Sequence, residues 1–305
     1  MPLLTDEECL RARLALGKAY ELTGDWTRAA ELDEAALALA RDIGDRRGEA
    51  EALAALAEVA RKQGRYEEAS ERIDGARTLF TELGDEAGIG VVLHLSGTIA
   101  AQRGDYDEAR ARYLESFAIR KRHDDRDQLG RLLSNLAIVA EYSSDFTESR
   151  RLNEEALAVR TSIGDRWAIA LSLNNLAVID LYERRYAEAA DRYEESVALA
   201  REVGDPWLLS LAYFNLGKAR RGLGDTERAC EIFAESIAAF QGLDDPYDLA
   251  EVLEDVAVIA ADTDPARGLE LLGGADRLRA DIGAARPAAR EAELTEELSA
   301  ARDGL

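Results

Sequence analysis

Proline and sulfur are scarce in this sequence, which has five prolines, one methionine and two cysteines among 305 residues. Cys9 and Cys230 lie far apart and fit no metal or disulfide spacing, so a reducing, cytoplasmic setting is expected. Positive charge is in deficit as well. Lys plus Arg number 38 against 61 Asp plus Glu, a formal net charge of −23. Nucleic-acid binding rests on cations that neutralise phosphates, so no direct nucleic-acid partner is expected. The longest basic run, Arg120-Lys121-Arg122-His123, falls where a helix should end and reads as compensation of its dipole. Apolar runs such as residues 91–95 stop far short of the ~18 residues a membrane span needs, so no membrane partner is expected either. The first eight residues lack the basic and apolar regions of a signal peptide. Lysine occurs only at 18, 62, 121 and 218, an arginine bias that suggests a GC-rich bacterial genome.

Catalytic vocabulary is missing too. There is no Gly-Lys-Ser/Thr phosphate loop and no His-Glu-x-x-His. Gly88-x-Gly90 and Gly222-x-Gly224 follow no strand, and two histidines, His94 and His123, are too few for most metal or triad chemistry. Paired carboxylates such as Glu154-Glu155 and Glu194-Glu195 read as solvated helix faces. No enzyme activity, cofactor or metal is expected.

What the chain does have is alanine, leucine, glutamate and arginine, with 47% apolar residues, the composition of a helical protein with a core. It also has a metronome. Gly-Asp recurs at 24-25, 44-45, 84-85, 104-105, 164-165, 204-205 and 224-225, and the same register carries Asp125, Asp145 and Asp245. Glycine closes one helix in the left-handed conformation and aspartate caps the next. Pro206, Pro246 and Pro265 each follow an aspartate, at the first helical position where a missing N–H costs nothing. Each block of 20 residues therefore predicts one helix of ~17 residues, antiparallel to its neighbours across a short joint. Joints are expected near 24, 44, 64, 84, 104, 124, 144, 164, 184, 204, 224, 244 and 264.

Alternate blocks differ, so the true unit is 40 residues. Trp26, Tyr66, Tyr106, Phe146 and Tyr186 follow every second joint, with Ala29, Ala69, Ala109, Ser149, Ala189 and Ala229 three residues later. Gly17, Ala57, Gly97, Ala137, Ala177, Gly217 and Ala257 form an unbroken series of small residues that lets helix backbones approach. A large aliphatic precedes most of them, Leu16, Leu56, Leu136, Leu176, Leu216 and Val256, with Ser96 the exception.

The run Leu16-Gly17-x-x-Tyr20, Gly24-Asp25-Trp26-x-x-Ala29 and then Ala36 resembles the tetratricopeptide repeat family, and the likeness covers roughly residues 5–263. A 40-residue period resembles its long-helix subclass, as in kinesin light chains and the C-terminal arrays of LuxR-type and actinobacterial regulators. The resemblance implies an all-α fold: a right-handed α-solenoid of about seven antiparallel helix-turn-helix repeats with a C-terminal capping helix. Residues 1–264 are assigned to the repeats, and 265–305 to a degenerate last helix plus a cap running from about Pro287 to Asp303.

In such a fold the first helix of each pair lines a concave groove. The candidate groove residues are Arg131, Asn135 and Tyr142, then Leu171, Asn174, Asn175 and Tyr182, then Phe214, Asn215, Lys218 and Arg221. Asn135, Asn175 and Asn215 are one repeat apart, and a carboxamide can both donate to and accept from an extended peptide backbone. The resemblance implies such an asparagine ladder. The other reading is that these asparagines bond only between neighbouring helices. Arg131, Lys218 and Arg221 predict a basic middle to the groove, and Glu251, Glu254, Asp255 and Asp262 an acidic end. Neutral asparagines stand where chaperone-binding relatives carry the arginine of a carboxylate clamp, which argues against a free C-terminus as ligand.

The function expected is a non-catalytic scaffold that binds a protein or peptide partner in its groove, the regulatory array of a bacterial signalling or transcription regulator. The alternative is a small-molecule sensor whose curvature changes on binding. The helical register begins by about Thr5, which favours an excised domain over a free-standing adaptor. A single chain and a homodimer joined through terminal helices both stay open.

Overall fold

The computed structural model describes residues 4–243 and 245–303, so the joint expected at residue 244 and positions 1–3, 304 and 305 lie outside the described residues. Packing divides the chain into two compact units, Met1–Val159 and Arg160–Leu305. The first unit holds α1 (Asp6–Leu22), α2 (Trp26–Ile43), α3 (Arg46–Lys62), α4 (Tyr66–Glu82), α5 (Glu86–Gln102), α6 (Tyr106–Arg122) and α7 (Arg126–Tyr142). The division falls inside α8 (Phe146–Ile163). The second unit continues with α9 (Arg166–Tyr182), α10 (Tyr186–Val203), α11 (Pro206–Gly222), α12 (Thr226–Leu243), α13 (Pro246–Ala261), α14 (Pro265–Asp281), α15 (Ala288–Glu297) and α16 (Ser299–Asp303). All of these elements are helical, and no strand occurs among the described residues. In each unit they form helix-turn-helix pairs, the architecture of an α-solenoid.

The joints work as small mechanical parts. Gly44 sits at φ 72° and closes α2, while the Asp45 carboxylate accepts the Gly48 N–H at 2.9 Å and opens α3. The same aspartate cap recurs at Asp25, Asp85, Asp105, Asp125, Asp145, Asp165, Asp205, Asp245 and Asp264. Where the register lacks glycine, Asp124, Ser144 and Arg184 still adopt φ of 50°, 59° and 58°. The turn geometry prevails over the preference of the side chain.

Packing within a pair depends on the small-residue series. A β-carbon placed on Gly217 would lie 2.5 Å from the Phe233 ring, and one on Gly97 2.7 Å from the Tyr113 ring. Each glycine therefore faces a bulky residue 16 positions later, and Ala57, Ala137, Ala177 and Ala257 at the same register are fully buried. A second stitch repeats in three pairs: the Ser116, Ser196 and Ser236 hydroxyls donate to the carbonyls of Gly90, Ala170 and Ser210, 26 residues earlier. The leucine preceding the small residue is buried at 56, 136, 176 and 216, and each such burial is worth ~1.5–3 kcal/mol. Leu16 is the exception at 47% exposed, because among the described residues no helix precedes α1 to cover it.

The cap differs from the single helix expected over 287–303. Leu298 leaves the helical track at φ −100° and ψ 8°, which separates α15 from α16. Leu294 and Leu298, on either side of the joint, both bury their side chains in a cluster with Ala257 and Leu272.

Candidate functional site

The inner face of each unit is the side of its first helices turned away from the paired second helices. In the first unit, α7 presents Arg131, Asn135, Ile138 and Tyr142 on this side. Arg131 is exposed and pairs with Asp127 at 3.3 Å, one turn earlier. The Asn135 amide donates to His94 Nε2 on α5 at 2.8 Å, and the His94 ring meets Tyr113 edge-on at 5.7 Å. Burial, with Arg120 and Arg131 nearby, pushes the His94 imidazole down to about 4, so it is neutral at pH 7 and free to accept. Tyr142 is 65% exposed and stacks on Tyr106, with ring centroids 4.8 Å apart and planes 6° from parallel.

That stack shows what the aromatic after every second joint does. It covers the residue 36 positions on, at the end of the next first helix. Trp26 takes the Lys62 ammonium over its ring at 5.7 Å, Tyr106 stacks on Tyr142, and in the second unit Tyr186 lies against Gly222.

In the second unit the expected site residues separate into two groups. Tyr182 is 69% exposed. Asn175 is half-buried, and its own side chain makes no hydrogen bond among the described residues. Leu171 is half-buried and packs against Ala170, Ala200 and Leu208. The others are corrected. Phe214 does not face the groove; it is 4% exposed and packs on Phe233 at 6.2 Å, because this register is apolar core in α11. Asn174 and Asn215 are buried against each other, the Asn215 amide donating to Asn174 Oδ1 at 3.1 Å. Two of the three ladder asparagines therefore bond to the preceding first helix, each to a residue 41 positions earlier, as a buried carboxamide must find a partner.

The expected charge pattern is corrected as well. Lys218 Nζ lies 3.7 Å from Asp255, and Arg221 lies 3.4 Å from Asp255 and 3.2 Å from Glu297, so the basic patch is neutralised. Half of the acidic end is covered in turn: Glu254 and Asp255 are 0% and 2% exposed beneath Arg279, Arg286 and Arg290, while Glu251 is half-buried and Asp262 exposed. The basic run at the end of α6 pairs locally, Arg120 with Asp125 and His123 with Glu86.

One feature escaped the sequence reading although its mark was visible. Ser96, the break in the aliphatic series, lines a cavity of about 330 Å³ between α4, α5 and α6, together with Ser70, Asp74, Arg77, Glu108 and Arg112 among others. Arg77 pairs with Asp74 at 3.3 Å and Arg112 with Glu108 at 2.7 Å. Among the described residues no group of three His, Cys, Asp or Glu side chains is arranged to hold a metal ion. Among the described residues no helix is long and apolar enough to cross a membrane.

A family model described as "Tetratricopeptide repeat" matches residues 8–82, 49–122, 88–162, 128–202 and 168–242. No curated protein matches the sequence. Among solved structures, the chain is similar to a signal transduction ATPase with numerous domains that has a tetratricopeptide repeat sensor, from Pyrococcus horikoshii. The TM-score is 0.76 at 16% identity, over 96% of this chain but only 44% of that one. It is also similar to a Rap protein complexed with competence and sporulation factor, with TM-score 0.69, 14% identity and coverage of 97% and 78%. BtubC from P. vanneervenii gives TM-score 0.60 at 19% identity, covering 77% of this chain and 92% of that chain.

Proposed function

The chain belongs to the tetratricopeptide repeat family, and from that premise we propose that it is a non-catalytic scaffold that binds a peptide segment of a protein partner on its inner face. The observation that carries this reading is Tyr182, 69% exposed on the first helix α9 of the second unit. A large, stiff, amphipathic ring left out of the core gives contact area at low entropic cost. Half-buried Asn175 offers an unsatisfied carboxamide about two turns before Tyr182, suited to peptide backbone. The likeness to a Rap protein complexed with a factor, and to an ATPase with a repeat sensor, supports a regulatory setting. We assign residues 1–264 to the repeat array and 265–305 to its end, within a cytoplasmic bacterial signalling or transcription regulator of the LuxR-like kind.

A second reading, a small-molecule sensor, is favoured by the cavity at Ser96. Native mass spectrometry of the purified protein separates the two. A co-purified polypeptide supports the scaffold, and a bound metabolite of a few hundred daltons supports the sensor.

A further inference from the structure

The row that carries Asn175 and Asn215 does not end there. Forty residues on, the same register of α13 holds Asp255, with Glu254 beside it. Both carboxylates are covered by a segment of the chain itself. Arg290 of α15 places Nη2 3.2 Å from Asp255 and Nε 3.4 Å from Glu254, while Arg286 approaches Glu254 at 2.9 Å. Glu297 at the other end of α15 reaches back to Arg221 of α11 at 3.2 Å. Leu294 and Leu298 complete the contact beside Ala257, with Val258 and Ala261 against the same cluster. The C-terminal segment therefore lies on the face that the proposed function gives to a partner.

Several features make that occupancy separable from the fold. Gly283 at φ 67° and the non-helical residues 284–287 isolate α15 from α14. Ten residues are too few for a helix to persist alone, and the Pro287 cap supplies no side-chain hydrogen bond, so α15 holds its shape only while docked. The ionic fit is incomplete: Arg290 Nη2 and Arg221 Nη1 are buried without a hydrogen-bond acceptor. The acidic pair keeps other cations if α15 leaves. Arg279 of α14 holds Glu254 at 2.7 Å, and Lys218 and Arg221 stay beside Asp255.

We infer that the segment formed by α15 and α16 is a displaceable internal ligand, and that the Glu254–Asp255 face accepts in its place a partner helix bearing an arginine followed at four and eight residues by leucine. This inference rests on the peptide-binding reading above and deepens it by naming the occupant. A helical partner of this kind presents the Arg290, Leu294 and Leu298 pattern on one face.

The test uses the full chain and a labelled synthetic peptide of residues 284–303. Native-state hydrogen exchange on the wild-type chain comes first, with the α15 amides expected to exchange about a hundredfold faster than those of α13, through an opening of their own. In fluorescence anisotropy the peptide should then bind Leu294→Asp, Leu298→Asp protein about tenfold tighter than wild type, because the internal competitor is gone. Adding Asp255→Asn should remove that gain. If α15 exchanges in step with α13, the segment is a fixed part of the fold; this inference falls while the peptide reading at Tyr182 and Asn175 stands. If α15 opens alone and the undocked protein still ignores the peptide, both the named occupant and peptide binding at this face are overturned.

Discussion

The Asn135 amide donates to Nε2 of His94 at 2.8 Å, joining two neighbouring first helices through a histidine held neutral. The charged groups around that ring are Arg120, Arg131, Arg61 and Glu58. An imidazole whose folded pKa is depressed to about 4 stabilises the fold fully above its ordinary value near 6.5 and loses that contribution as pH falls from 6.5 towards 4. Thermal unfolding of wild type against His94→Gln should show wild type losing on the order of 2 kcal/mol relative to the variant across this window. Parallel pH profiles would contradict the assignment.

Asp33 predicts the opposite slope. Its carboxylate is fully buried against Gly17, neither oxygen has a hydrogen-bond partner, and burial with Glu21 nearby raises its pKa to about 7. A carboxyl with a raised folded pKa is harmless below its unfolded value of 3.8 and destabilises progressively as pH rises from there to about 7, above which the full penalty stands. Asp33→Asn should therefore gain on the order of 2 kcal/mol over wild type at pH 8.5 and nothing at pH 4. Chemical denaturation at the two pH values checks it.

Gly217→Ala should destabilise by about 1–3 kcal/mol, since the added methyl meets the fully buried Phe233 ring in a pair with no room to part. Ala137→Gly, at the same register with alanine accommodated, should cost only about 1 kcal/mol of helix propensity. Similar denaturant midpoints for the two variants would mean that the small-residue series does not set the helix spacing.

Ser144→Gly and Arg184→Gly should each stabilise by on the order of 0.5 kcal/mol, because both residues occupy the left-handed turn at φ near 60°. Gly164→Ala at an equivalent joint should cost about 1 kcal/mol. The paired signs are the readout in differential scanning calorimetry.

The fold was legible because each joint is a local device. Glycine geometry, an aspartate cap and a proline at the first helical position act over three residues, so Gly204-Asp205-Pro206 states its own structure. The site was less legible. Periodicity placed Asn135, Asn175 and Asn215 on one register, and it could not tell which would find a partner. That depends on residues 41 positions away, His94 for Asn135 and Asn174 for Asn215. Phe214 was misplaced for the same reason: its neighbour Phe233 determines whether an aromatic on a first helix is core or surface. The tail over Asp255 was invisible, since nothing local in 288–303 says which face it will cover. Ser96 alone carried an unread mark, a broken series where a cavity opens.

Peptides selected from a display library on the wild-type protein, then titrated against Tyr142→Ala, Tyr182→Ala, Asn175→Ala and an outer-helix control, Glu195→Lys, show whether the inner face is the binding surface. Peptide binding there requires about tenfold or greater loss of affinity in at least one inner-face variant with helicity intact, and none in the control. Full affinity in all three inner-face variants, or loss confined to Glu195→Lys, would show that the working surface lies elsewhere.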